Sequence, residues 1–240
     1  MKTKPPQGET VTTGDARGHA RSFPIILSAP SGGGKTTIAR CLLDKRDDLG
    51  YSISCTTRSP RTNEKDGRDY HFLSHKEFLE HRNRGDFAEW AKVHGKLYGT
   101  LKSAISSVLK SGKHVILDID VQGARQLRAE YKDAVTVFVL PPSAEVLLDR
   151  LKKRKTESPQ QLAARLDSAL QELRAVEEYE YVVVNDDLDH AVRQVGSIID
   201  AEVVSRERVS GLRQQVEELA AQLEAEIGHH SSRKKKRTRS

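Results

Sequence analysis

The chain has two cysteines, Cys41 and Cys55, and neither a disulfide framework nor a metal-ligand spacing can be built from them. They read as ordinary buried thiols, and a reducing cytoplasm is the expected setting. No apolar run approaches the length of a membrane span. Residues 1–21 carry Lys, Gly, Thr and Pro but not the apolar core of a secretory signal. With Ser22 they form a polar segment expected to be disordered. The body of the chain also lacks net charge. The formal charge of +6 arises in Ser231–Ser240, where Arg233, Lys234, Lys235, Lys236, Arg237 and Arg239 meet no acid. Six of the 40 basic residues lie there, leaving 34 basic against 34 acidic. A global nucleic-acid-binding surface is not indicated, although one basic tail (229–240) is. The tail could touch RNA, anionic lipid or an acidic protein, could be a nuclear-import-like signal, or could only solubilise.

What is present is concentrated at residues 28–37, Ser-Ala-Pro-Ser-Gly-Gly-Gly-Lys-Thr-Thr, directly after the apolar run 23–27. Strand, glycine-rich loop and Lys-Thr, in that order, form the layout of a nucleoside triphosphate cradle. Gly32, Gly33 and Gly34 leave backbone N–H groups free to meet phosphate oxygens. The following helix adds its N-terminal dipole. Lys35 can reach the β- and γ-phosphates, and the Thr36 hydroxyl can hold Mg²⁺. Ala29, Pro30, Ser31 and Thr37 complete the candidate ATP-binding stretch. Ala29 stands where the usual pattern has its first glycine, and the plain alternative is a glycine-rich surface turn.

The 240 residues, 36% hydrophobic and 31% charged, suffice for one sizeable α/β core with inserted parts. Strands are expected over 23–28, 51–57, 114–120, 134–140 and 181–185. Helices are expected over 35–44, 74–84, 100–111, from 143 to about 153, and 160–178. Ser74 is a plausible N-cap with Glu77 at the capping-box position. The alternation predicts a parallel sheet with helices on both faces. From 186 almost to 227 the chain reads as helical. Val209, Leu212, Val216, Leu219, Leu223 and Ile227 form a stripe there. It suits either a short coiled-coil seam for self-association or a helix packed on its own domain.

A second constellation spans residues 54–73. Arg58 and Arg61 with Tyr70 would suit a second phosphate held by charge-assisted hydrogen bonds, or could be a solvated basic loop. Here the sequence strongly resembles the guanylate kinase family. The family pattern is T-[ST]-R, a basic residue three on, an acid three later, then G-x-x-Y-x-[FY] and an aliphatic residue. Thr56-Thr57-Arg58, Arg61, Glu64, Gly67, Tyr70, Phe72 and Leu73 fill it. The likeness runs from about Pro24 to Glu202 and includes the loop start at 27–32, where some members also carry Ala at position 29. Glu89-Trp90-Ala91, Tyr98-Gly99-Thr100 and Leu117-Asp118-Ile119-Asp120 follow in the family's order. Leu97 departs from it, standing where Tyr is frequent.

The resemblance implies a P-loop kinase. Its core would be residues 23–52, 101–140 and 171–205, with a GMP-binding insert at 53–100 and a lid at about 141–170. A helical extension (206–228) and the basic tail lie outside the likeness. It implies transfer of the ATP γ-phosphoryl group to GMP with Mg²⁺. By the same resemblance Glu89 reads guanine N1–H and N2–H₂, with Ser54, Thr100 and Asp120 against the base. Arg58, Arg61, Tyr70 and Tyr98 hold the GMP phosphate. Asp118 supports Mg²⁺ through water, Arg154 and Arg165 meet the transferring phosphate, and Asn185 and Asp186 line the adenine side. Taken singly, Asp118 and Asp120 would read as helix N-caps, Glu89 as a surface acid and each arginine as a solvated helix face.

Overall fold

A computed structural model describes residues 21–93, 95–152 and 159–237. Residues 22–202 form one compact unit, and the described residues from 203 onward belong with Arg21 to another. In chain order the elements of the first unit begin β1 (Pro24–Ser28), α1 (Lys35–Lys45), β2 (Leu49–Tyr51), β3 (Cys55–Thr56), β4 (His71–Phe72) and α2 (His75–Arg84). There follow β5 (Phe87–Val93), β6 (Lys96–Leu101), α3 (Lys102–Lys110), β7 (His114–Asp118), α4 (Val121–Glu130) and β8 (Val135–Leu140). The series closes with α5 (Ala144–Lys152), α6 (Pro159–Arg174), β9 (Tyr181–Val184) and α7 (Leu188–Val203), whose last residue falls in the second unit.

Five strands make a parallel sheet in the order β2-β7-β1-β8-β9. Its central strand, Pro-Ile-Ile-Leu-Ser, is buried along its whole length. An unbroken apolar run is what a strand covered on both faces requires. Ile26, Ile105, Leu117 and Leu127 pack as one cluster, each at most 1% exposed. The register sets Leu27 beside Asp118 and Ser28 beside Phe138. The carboxyl ends of β1 and β7 therefore share one edge, at the point where the chain leaves β7 to one side of β1 and returns as β8 on the other. Ligands of open α/β sheets bind at such a switch point.

The second sheet, β4-β3-β6-β5, has β5–β6 and β3–β6 antiparallel and β3–β4 parallel. Its small core is Cys55, Phe78, Phe87 and Leu97, with Phe78 stacked on Phe87 at 4.5 Å between ring centroids. Leu97 thus has a packing role in this core. The Ser74–Glu77 capping box opens α2.

Three sequence expectations are redrawn. The single strand over 51–57 is two strands in two sheets. Ser52 N–H still donates to the Ile116 carbonyl of the first sheet, while the Ser54 carbonyl accepts from His71 of the second. Thr100 lies in β6, opposite Glu89, and the helix begins two residues later. The helix expected after Asn185 is interrupted at 204–211, where Gly211 takes a left-handed φ of +69°. Val209 falls in that interruption, and α8 (Leu212–Arg237) carries the remaining stripe. In α8 Val216, Leu219, Leu223 and Ile227 are each more than half exposed. No helix among the described residues is long and apolar enough to cross a membrane.

Candidate active site

The loop between β1 and α1 is built for an anion by what it omits. Gly32 and Gly34 adopt φ of +86° and +99°, a region that a Cβ disfavours. Gly34 is the N-cap of α1, yet no side chain caps the helix and its first turn holds no acid. The free N–H groups and the positive end of the dipole are left for a ligand. Ala29 is buried beneath the loop, and the Pro30 carbonyl accepts from Gly33 N–H at 2.7 Å, so Gly33 uses within the loop the N–H that the sequence assigned to phosphate. Pro30, Gly33, Lys35, Thr36 and Thr37 line a cleft of about 270 Å³ with Arg150.

From the end of β9, Asn185 Nδ2 donates to the Gly33 carbonyl at 2.9 Å. With Asp186, Thr37 and Arg150 it walls the adjoining hollow. Two residues of α6, seven apart and so on one face, grip Ser31. Arg165 donates to its hydroxyl and Glu172 accepts from its backbone N–H, both at 2.9 Å. Arg165 is 4% exposed. Burial pushes the Glu172 carboxyl above its ordinary range. Arg154 lies outside the described residues.

A cavity of about 210 Å³ runs from Ser31, Lys35 and Thr36 to the second sheet. Ser54, Arg58, Arg61, Tyr70, Glu89, Tyr98, Asp118 and Asp120 all reach its wall. Thr100 stands behind them, fully buried, donating to Glu89 Oε1 at 2.6 Å and lying 3.1 Å from the Ser54 hydroxyl. Glu89 is 4% exposed because the β5–β6 register shifts between Phe87 and Glu89. Such a bulge breaks the in–out alternation and turns a side chain inward. Burial raises the Glu89 carboxyl to about 7, against the opposing Thr100 bond.

At the start of α4, Asp120 accepts from Gly123 N–H at 2.8 Å. A Cβ at Gly123 would lie 3.0 Å from Glu89 Cδ and collide with its carboxylate oxygen. The bare α-carbon is therefore part of the Glu89 pocket.

Arg58 and Glu64 form a two-pronged pair, at 2.6 and 2.7 Å. This bond, ahead of its burial, holds the Glu64 carboxyl below the ordinary range. Glu64 also accepts from Arg61 N–H at 2.8 Å, so one acid shapes the loop bearing both arginines. The Arg58 guanidinium lies 4.9 Å from the Tyr70 ring centre, and Tyr70 meets Tyr98 edge-on at 6.0 Å. Burial lifts the Tyr70 phenol to about 12, so its hydroxyl remains a donor near neutrality.

Between the two halves stands Asp118, receiving hydroxyl bonds from Thr36 and from Tyr51, each 2.5 Å long. No cluster of three or more His, Cys, Asp or Glu suited to a metal occurs among the described residues. A hydroxyl facing a carboxylate is a hard oxygen pair. It fits Mg²⁺, which keeps several waters and takes one or two protein groups beside substrate phosphates. The sequence did not single out Glu172, Gly123 or Tyr51, and Glu64 stood only as a pattern position.

A phosphate loop at the switch point of a parallel sheet, sharing one cavity with a second sheet rich in cations and phenols, defines a P-loop phosphotransferase. Residues 21–202 match the family model of guanylate kinase, and the chain belongs to that family. A guanylate kinase of Thermotoga maritima is 46% identical over 178 residues, 74% of this chain and 86% of that protein. One from Clostridium perfringens strain 13 is 47% identical over 182 residues, 76% of this chain and 84% of that protein. The crystal structure of guanylate kinase from Anaplasma phagocytophilum aligns with a TM-score of 0.70 at 32% identity. That alignment covers 83% of this chain and 95% of the other.

Proposed function

We propose that this chain catalyses ATP + GMP ⇌ ADP + GDP in the cytoplasm, where its free thiols Cys41 and Cys55 persist. The observation that carries the choice of acceptor is Glu89, a buried carboxylate in the same cavity as Lys35 and the phosphate loop. Thr100 occupies one of its oxygens. Guanine offers adjacent N1–H and N2–H₂ donors to a carboxylate, and adenine does not. A buried acceptor left unpaired is how a site rejects a wrong base.

The acceptor phosphate already carries ionised oxygen near neutral pH, so its attack on the γ-phosphorus needs no general base. Positioning and charge neutralisation remain. Arg58, Arg61, Tyr70 and Tyr98 orient the GMP phosphate, while Ser54, Thr100 and Asp120 flank the base. The loop from Ala29 to Thr37 cradles the ATP phosphates, with Asn185 and Asp186 toward adenine. Lys35, Arg58, Arg165 and Arg154 share the charge spreading over the transferred group. Thr36 directly, and Asp118 through water, would hold Mg²⁺, which would supply positive charge to offset the negative charge of the phosphates. The segment 141–170 is proposed to close as a lid that keeps water from the phosphate.

The test is ADP release with ATP, Mg²⁺ and each nucleoside monophosphate in turn. Turnover is expected with GMP and little with AMP, CMP or UMP. Glu89→Ala is expected to cut the preference for GMP over AMP at least about a hundredfold. A preference that survives this change would overturn the assignment.

A further inference from the structure

One residue at the centre of the site has no part in the mechanism above. Tyr51 is the last residue of β2, the edge strand of the parallel sheet. It pairs in register with Ile116, two residues before Asp118. Residues two apart on a strand face the same side, so Tyr51 and Asp118 are diagonal neighbours, a reach that a long aromatic side chain can span. The phenol spans it, donating to Asp118 Oδ1 at 2.5 Å. The next residue, Ser52, anchors the backbone through its N–H bond to the Ile116 carbonyl at 3.2 Å.

The bond matters because of the other carboxylate oxygen. Oδ2 accepts from Thr36 at 2.5 Å, across the phosphate loop. The torsion about a terminal carboxylate bond is soft, so a carboxylate bound at one oxygen can turn and one bound at both cannot.

We propose that Tyr51 is a positioning residue for the divalent-cation site: its phenol fixes Asp118 so that the second oxygen faces Thr36. The inference rests on the ATP–Mg²⁺ reading given above. Groups that orient a metal's partners without touching the metal commonly govern its affinity by about ten- to a hundredfold.

The test uses the full chain with ADP and Mn²⁺, a hard, oxygen-seeking stand-in for Mg²⁺ whose free and bound forms are distinguished by electron paramagnetic resonance. Tyr51→Phe removes only the hydroxyl. It is expected to weaken Mn²⁺ binding about tenfold in the presence of ADP while leaving ADP affinity without metal unchanged. Asp118→Asn should weaken Mn²⁺ binding at least as much. Adding Tyr51→Phe to Asp118→Asn should then cost nothing more, since the phenol acts through that carboxylate. Unaltered Mn²⁺ affinity in Tyr51→Phe overturns the proposal, as does an equal loss of metal-free ADP affinity, which marks a general distortion. So does full additivity in the double variant. If the unaltered chain takes up no ADP-dependent Mn²⁺, the metal reading itself fails and the inference falls with it, before any variant is made.

Discussion

The two halves of the cavity are made of different material. On the phosphate-loop side the proposed ligand would meet main chain: Gly32, Gly34 and the uncapped start of α1 lie in one run of sequence. On the other side it would meet side chains drawn from separated elements: Arg58, Tyr70, Glu89, Tyr98 and Asp120 line the cavity there. Main-chain N–H groups are alike in every residue and suit phosphate, which is alike in every nucleotide. A base differs from its rivals at a few atoms and must be met by particular groups held in place. The donor side therefore depends first on backbone conformation, with Lys35 as the one cation within the loop itself. The acceptor side depends on what stands behind each reader: Thr100 behind Glu89, Glu64 behind Arg58 and the empty space at Gly123.

That contrast can be broken most forcefully at the cation. Lys35→Ala is expected to lower kcat by about a hundred- to a thousandfold, the usual cost of one electrostatic contact to a developing charge. GMP binding measured without ATP should be largely retained, since the acceptor side is separately built. Equal losses in both would show the halves to be one unit.

A smaller effect is expected at Gly123. Gly123→Ala leaves every named contact residue in place and intrudes mainly on the room for Glu89, with a lesser crowding of Asp120 Oδ1 at 3.3 Å. KM for GMP should rise about tenfold or more, with KM for ATP unmoved, a cost of one to two kcal/mol in placing a buried group. An unchanged KM for GMP would mean that α4 yields and that the vacant space is not part of recognition.

Acidity provides the mildest probe. The Glu89 carboxyl, raised by burial to about 7, is mostly charged above that pH and mostly protonated below it. The charged form only accepts hydrogen bonds, which is what guanine's two donors require. Guanosine serves better than GMP as the ligand because it has no phosphate to titrate. Its affinity should fall about tenfold from pH 8 to pH 6, following the protonation of one group. Inhibition constants against GMP would measure it, and a flat profile would separate Glu89 from base reading.

The same contrast decides what could be seen in the sequence. Residues 29–37 are contiguous and glycine-marked, so their layout was legible without a fold. The runs that became β1, β7 and β8 were legible too, because a fully covered strand is written as an unbroken apolar stretch. Glu89 read alone as a surface acid. Its burial depends on a bulge in β5 and a partner in β6, neither of which leaves a local mark, and only family resemblance brought it into the site. Thr100 reads as the start of a helix because it stands one residue from the end of β6, directly before the helical run of α3. The sequence reading passed over α4, although Val121, Ala124 and Leu127 carry a helical spacing behind the N-cap Asp120; the helix is short and Gly123 lowers its propensity. Tyr51 and Glu172 reach the centre through contacts of 67 and 141 residues in sequence separation, beyond any pattern of spacing.

The Arg58–Glu64 pair has a bearing on ionic strength. Two arginines line the proposed acceptor site, but an acid lies against one guanidinium and binds the other's backbone. An incoming phosphate meets a cluster of net charge +1 instead of +2. Added salt screens exposed charges, and it weakens an attraction in proportion to the charges that meet. GMP binding should consequently tolerate salt better than a count of arginines suggests, and the carboxylate that appears to compete with the ligand also protects it from competition by other anions.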